Sequence, residues 1–273
     1  MQNILITGCS SGIGLQTALT LKDNGYKVYA SARNDEDIKN LKSLGFTTLK
    51  IDVTNKLDIQ NALYSIIHED KTLDAVFNNA GYGQPGALED VSVEVLKEQF
   101  ETNVFGLHEL TLQAMKIFRA QGYGKLIQHS SVLGIISLKF RGAYNASKYA
   151  IEGLSDTLRQ ELIGSNISLS VINTGPVTSK FRENALGKFV KNIDIKSSFF
   201  KSVYEKDLQK RLENDKDTTP FNLPASSVAN VVLKIMKSQK PRGRYYVTKA
   251  TYIMGFLKRT LPTGLLDKIL NKM

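Results

Sequence analysis

The chain has 273 residues, 42% hydrophobic content and a formal net charge of +10. That supplies one substantial core, so a single α/β domain accounts for the length. Cys9 is the one cysteine, which excludes an intramolecular disulfide and fits a reducing compartment, and the scattered His68, His108 and His129 offer no metal-ligand spacing, which argues against metal catalysis.

The N-terminus enters Ile4-Leu5-Ile6 almost at once, without the charged start and long apolar region of a secretory signal. No uninterrupted apolar stretch approaches the roughly 20 residues that cross a bilayer. The expectation is a cytoplasmic protein, at most peripheral at a membrane surface. Charge is unevenly placed: from Ala225 onward, ten basic residues accompany one acid, Asp267. Such a tail can meet anionic lipid or nucleic acid. No nucleic-acid-binding motif accompanies the charge, so no nucleic-acid partner is expected.

Short β-branched runs predict strands at 3–7, 27–31, 47–51, 75–78, 125–130, 168–173 and 244–247. Helices fill most gaps, starting after Ser11, Asn34, Thr54, Ser92 and Arg141. This alternation predicts an α/β fold: one Rossmann-type, doubly wound parallel sheet with helices on both faces. Residues 179–224 break the rhythm, mixing Lys180, Arg182, Glu183 and Lys188 with Phe181, Phe189, Phe199, Phe200 and Tyr204. The stretch is too long for an ordinary connection and reads as a helical substrate lid or as a surface helical hairpin. Its position after a strand's carboxyl end favours the lid.

The expected division is a catalytic domain over 1–250, lid included, and an amphipathic basic segment over 251–273. In that segment Ile253, Leu257, Leu261, Leu265, Ile269 and Met273 recur at four-residue steps, with Phe256, Leu266 and Leu270 beside them. Lys258, Arg259, Lys268 and Lys272 lie between, and Pro262 divides the segment in two. A pair of helices so built suits a membrane surface, or packing onto its own domain or a second subunit.

Gly8, Gly12 and Gly14 stand between the first strand and the first helix, with Ser10, Ser11 and Ile13 among them. A glycine-rich turn there lets backbone amides approach a pyrophosphate at the positive helix end. At the end of the second strand comes Ala32, followed by Arg33. A carboxylate would serve the ribose hydroxyl of NAD, whereas a cation can fork onto the 2′-phosphate of NADP, so NADP(H) is expected.

Tyr144 and Lys148, four apart on a helix, share one face. An ammonium beside a phenol is expected to lower the tyrosine pKa towards neutrality, and such a tyrosine exchanges a proton with an alcohol or ketone. A second pair, Tyr245 and Lys249, has no comparable surroundings. Ser131 lies thirteen residues upstream of Tyr144, with Ser130 as its rival; adjacent strand residues point to opposite faces, so only one can serve.

Thr7-Gly8-x-x-x-Gly12-x-Gly14, Asn78-Asn79-Ala80-Gly81 and Tyr144-x-x-x-Lys148, in this order with Asn103 and Ser131, resemble the short-chain dehydrogenase/reductase superfamily. The likeness is greatest to its hydroxysteroid/retinol dehydrogenase-type members. The resemblance implies that Asp52 and Val53 hold the adenine, that Asn79, Ala80 and Gly81 line the cofactor, and that Gly175, Pro176, Val177 and Thr178 approach the nicotinamide end. Thr174 and Ser179 depart from the family's usual proline and threonine, so the carboxamide is left to Thr178 or Ser179. The family spacing selects Ser131 to hold the substrate oxygen while Tyr144 delivers the proton. Lys148 then lowers the tyrosine pKa and binds the nicotinamide ribose, and Asn103 holds a water linking Lys148 to solvent.

The activity implied is NADPH-dependent hydride transfer to an apolar ketone or aldehyde. The alternatives are an NADP-dependent alcohol dehydrogenase working oxidatively and a catalytically idle NADP-binding sensor. Phe140, Phe181, Phe189, Val132, Leu133 and Leu138 either form an apolar pocket or pack as core. A homodimer or homotetramer is also implied by the resemblance.

Overall fold

In the computed structural model, residues 1–208 and 220–272 are described. Seven parallel strands form the main sheet: β1 (Asn3–Ile6), β2 (Lys27–Ala32), β3 (Thr47–Lys50), β4 (Ala75–Asn78), β5 (Tyr123–Ser131), β6 (Asn166–Thr174) and β9 (Arg244–Tyr246). Two further short strands, β7 (Val177–Thr178) and β8 (Leu223–Pro224), pair only with each other. The main order is β3-β2-β1-β4-β5-β6-β9, so the winding reverses between β1 and β4. In such a sheet ligands bind at that switch point, beyond the strands' carboxyl ends.

Helices cover both faces: α1 (Gly12–Asp23), α2 (Asp35–Ser43), α3 (Lys56–Asp70), α4 (Val93–Phe100), α5 (Leu107–Gln121), α6 (Gly142–Glu161), α7 (Phe181–Asn192), α8 (Ser226–Lys237), α9 (Lys249–Thr260) and α10 (Thr263–Leu270). Strands buried on both sides read as continuous apolar runs, as β1 does. Ile4, Ile6, Phe77, Ile127 and Ile172 pack with Ala18 of α1 and Val228 and Val232 of α8. Leu5, Val76, Leu126 and Val171 pack on the other face with Ile59 and Leu63 of α3 and Leu110, Ala114 and Phe118 of α5. The period-two alternation of these names is the pleat itself.

Two departures from the sequence expectation bear on the site. The helix starting after Ser92 is not continuous: a π-helical turn, Glu101–Gly106, separates α4 from α5. Gly106 there lies against the loop after β3, where an added Cβ would come within 2.5 Å of Val53 O. In the second, the tail's four-residue stripe is split. Leu266 and Leu270 point inward, with Leu257 and Leu261 packed beside them, whereas Ile253 and Leu265 are exposed.

The stretch expected to form a lid begins with α7 and is pinned to the segment after β4. Tyr204 OH accepts from Ala87 N at 2.7 Å and donates to Asp90, whose Oδ2 also accepts from Ser198 Oγ at 2.6 Å. Phe189, Ile193 and Tyr204 form an apolar cluster with Ala87, Phe140 and Phe200. Residues 209–219 of this stretch lie outside the described residues.

Candidate active site

The first turn is shaped by steric necessity. Gly8 and Gly12 adopt φ of +71° and +57°, a region that strains side-chain-bearing residues. A Cβ on Gly14 would stand 2.1 Å from Gly8 O and 2.6 Å from Asn79 Nδ2, so the turn folds tightly onto the start of α1. Thr7 and Asn79 tie this turn to the end of β4. Thr7 Oγ1 accepts from Asn79 N and Ala80 N, both at 3.0 Å, while Asn79 Nδ2 donates to Thr7 O and Gly8 O at 2.9 and 3.2 Å. Ser11 is the N-cap of α1, yet its side chain makes no capping bond.

Around the turn, Ala32 is buried and Arg33 is exposed, immediately beyond β2. Asp52 Oδ1 accepts from Thr54 N and Oγ1 at 2.9 and 2.8 Å, which fixes the loop carrying Val53. On the far side Gly175 is wedged so closely against α9 that a Cβ would stand 2.0 Å from Thr248 Oγ1. Thr178 lies in β7 and its hydroxyl accepts from Asn222 Nδ2 at 2.6 Å. Ser179 instead faces the glycine turn, its Cβ 3.2 Å from where a Gly12 Cβ would be.

The candidate reacting cluster sits where β5, β6 and α6 meet. Lys148 Nζ donates to His129 O at 2.7 Å and lies over the Tyr144 ring, 5.6 Å from its centroid. Ser131 Oγ accepts from Leu133 N at 3.1 Å, and its one proton can go to Thr174 O, 3.3 Å away, or to the Tyr144 oxygen beside it. Ser130 projects to the opposite side of β5, within 2.8 Å of the position a Gly134 Cβ would take. Of the two serines, Ser131 is the one that lies beside the Tyr144 phenol.

Electrostatics correct one expectation. The Tyr144 phenol is not lowered towards neutrality: burial pushes it up to about 12, opposed by the Ser131 hydrogen bond. Burial also lowers Lys148 to about 8, against the upward pull of Glu152. Lys148 is itself buried and gives one of its three ammonium protons to the His129 carbonyl.

Asn103 lies in the π-helical turn, a local geometry that recurs at functional sites. Its Oδ1 accepts from Tyr82 N at 3.1 Å, and its Nδ2 donates to Tyr82 O at 2.9 Å and Ser147 Oγ at 3.2 Å. The side chain therefore clamps the loop after β4 to the residue preceding Lys148.

Sequence reasoning passed over His129. Its Nδ1 lies 3.0 Å from Asn79 Oδ1 and its Nε2 lies 2.9 Å from Thr174 Oγ1. Asn79 donates both amide protons elsewhere, so its oxygen accepts from Nδ1–H, and Nε2 accepts from the threonine hydroxyl. Burial, then the nearby Lys148 ammonium, lower the imidazole to about 3, and the ring is neutral. The available signal was the spacing: two residues before Ser131 on one strand is the same face.

The apolar candidates fall into two groups. Val132, Leu133 and Leu138 share a cluster with Tyr144 and with Leu266 and Leu270 of α10. Phe140 and Phe189 belong instead to the cluster around Tyr204. Phe181, the first residue of α7, stacks obliquely on Tyr144 with ring centroids 5.3 Å apart.

Comparison with known proteins agrees with this geometry. The family model for short chain dehydrogenase matches residues 2–188. An uncharacterized oxidoreductase, YbbO, of Escherichia coli is 38% identical over 98% of this chain and 94% of its own length. A 3-ketodihydrosphingosine reductase of Bacteroides thetaiotaomicron is 35% identical over 74% of each chain. An NADPH-dependent 3-dehydrocapnine reductase of Ornithobacterium rhinotracheale is 29% identical over 100% of this chain and 97% of its own. Among solved structures, a short-chain dehydrogenase from Streptomyces avermitilis superimposes with a TM-score of 0.78 at 25% identity, covering 99% of this chain and 94% of that one. The match of the family model over most of the chain, on a sheet of this order, makes the protein a member of the short-chain dehydrogenase/reductase family of oxidoreductases.

Proposed function

We propose that this oxidoreductase reduces an apolar ketone or aldehyde to its alcohol with NADPH, Tyr144 supplying the proton. The observation that carries the reading is the setting of Tyr144: its phenol meets Ser131, its ring lies under Lys148, and its flank joins an apolar cluster closed by Phe181 and α10. The glycine turn fits a pyrophosphate, because the cradle is one that a Cβ would fill and the Ser11 hydroxyl is spared from capping. Arg33 beyond β2 would hold the 2′-phosphate, and Ser179, facing the turn, is better placed than Thr178 to meet the carboxamide.

Bound NADPH would supply the hydride. Ser131 would hold the substrate oxygen as charge builds on it, and Tyr144 would hand its proton to that oxygen. A phenol held near 12 keeps its proton at neutral pH, the form that can donate to a carbonyl oxygen, and the NADPH/NADP ratio sets the direction. Lys148, fixed by His129 O, would bind the ribose beside the tyrosine. The apolar wall argues for an apolar substrate, in keeping with the relatives named for 3-ketodihydrosphingosine and 3-dehydrocapnine. An idle cofactor sensor would not require Ser131, Tyr144 and Lys148 to converge as they do.

Oxidation of NADPH and of NADH, followed across apolar ketones and aldehydes with wild type and Arg33→Ala, tests this reading. Loss of one charge-assisted phosphate contact should weaken NADPH by about ten- to a hundredfold and leave NADH nearly unchanged. Equal losses for both would remove Arg33 as the reader of the phosphate, and silence with every carbonyl would sink the reductase.

A further inference from the structure

We infer that the outward face of the C-terminal helices docks on an anionic lipid bilayer. The inward face is already used. Leu266 and Leu270 are buried against Leu133 and Ile136, with Met254 and Leu257 packed on the same cluster. Thr251 and Gly255 are buried on α9 as well. A second apolar face nevertheless remains outside: Tyr252 is 60% exposed, Ile253 43%, Phe256 65% and Leu265 49%.

Helical spacing puts Lys249, Tyr252, Ile253, Phe256 and Arg259 on one side of α9, and Leu265 and Lys268 on one side of α10, with Lys272 in the turn beyond it. Large apolar side chains ringed by lysine and arginine, on helices lying along the surface, are the pattern of interfacial docking. Tyr252 is braced edge-on by Tyr246 at 5.3 Å, and Tyr246 also abuts Gly255, so the aromatic face is held rigid. Tyrosine suits the level of lipid headgroups, being apolar in its ring and polar at its tip. A second copy of this chain is a poor occupant, since like charges would meet. An anionic bilayer satisfies both the charge and the apolar surface.

The inference deepens the reading above without depending on turnover. The same two helices roof the cluster that contains Tyr144, so docking would bring the proposed pocket to the phase in which an apolar substrate dissolves.

Flotation of the full-length protein with phosphatidylcholine vesicles, with and without phosphatidylglycerol, decides the matter. Wild type should float with the anionic vesicles and be released by salt. Lys249→Glu/Arg259→Glu/Lys268→Glu should weaken partitioning by about a hundredfold or more, since each basic residue contributes about fivefold at an anionic surface. Ile253→Ser/Phe256→Ser should also detach, with reduction of a water-soluble ketone retained by both variants. Failure of wild type to float, or equal flotation of the charge-reversed variant, would overturn the proposal. Self-association of wild type that Phe256→Ser abolishes, without flotation, would assign the face to a second copy instead. An enzyme that floats but reduces no carbonyl would leave this proposal standing and remove the catalytic one.

Discussion

His129 Nδ1 lies 3.0 Å from Asn79 Oδ1, so one imidazole fixes the asparagine that also grips the glycine turn. Its other nitrogen meets Thr174, whose carbonyl faces Ser131, and its own carbonyl holds Lys148. The glycine turn, Ser131 and Lys148 are thus joined through one buried neutral side chain.

Replacing His129 with Leu would strand Asn79 Oδ1 and Thr174 Oγ1, at about 1–3 kcal/mol for each buried polar atom left unpaired. Thr174→Val should cost less, because it strands only Nε2. The pH dependence has a definite sign. The folded pKa of about 3 lies below the unfolded value of 6.5, so the unfolded chain binds more protons between them. Stability from this residue is therefore present above 6.5 and lost as pH falls towards 3. Denaturant midpoints for wild type and His129→Leu should converge on moving from neutral pH to about pH 5; a constant gap would contradict the linkage.

Lys148 should set the alkaline side of the kinetics. Its ammonium, lowered to about 8, loses its charge before Tyr144, raised to about 12, loses its proton. The reductive kcat/KM should fall above about pH 8, while Lys148→Arg, which stays charged, should shift that limb upward. An unshifted limb would show that another group controls it.

Two glycines should behave oppositely. Gly14→Ala forces a Cβ to 2.1 Å from Gly8 O and should abolish nucleotide binding, read by quenching of intrinsic tyrosine fluorescence. Gly187→Ala in α7 meets nothing within 4 Å and should stabilise that helix by about 0.5–1 kcal/mol. Loss of binding in the second variant, or none in the first, would contradict the packing.

Phe181 covers the Tyr144 ring from α7. Phe181→Ala should raise KM for apolar carbonyls more than for small polar ones, and it should let the phenol pKa drift back towards 10 as water enters. Identical KM changes for both substrate classes would mean that the ring does not border the substrate.

All seven strands of the main sheet were legible in the sequence, because doubly buried parallel strands are short runs of β-branched and apolar residues bounded by turns. The glycine turn and the Tyr144–Lys148 pair were legible because their spacing is local. The π-helical turn was not: residue spacing in Glu101–Gly106 does not separate a π turn from an α turn, and the close approach of Gly106 to Val53 O is a tertiary contact. His129 was missed because Asn79 and Thr174 are 50 and 45 residues away in sequence, and a hydrogen bond between neighbouring strands leaves no periodic trace. The tail's four-residue stripe did not say which of its residues would face inward. A step of four drifts around a helix of 3.6 residues per turn, so Ile253 and Leu265 ended outside while Leu266 and Leu270 went in. The upward shift of Tyr144 depended on burial by Phe181 and α10, which residue spacing within α6 does not disclose.

The central claim is that Tyr144 delivers the proton that accompanies hydride transfer. The most direct test compares wild type with Tyr144→Phe, measuring NADPH oxidation with an apolar ketone alongside NADPH affinity by equilibrium titration. Affinity should change little, and kcat should fall by about 10²–10⁴-fold, the range for losing one general acid. A phenylalanine variant that turns over at the wild-type rate would contradict the account.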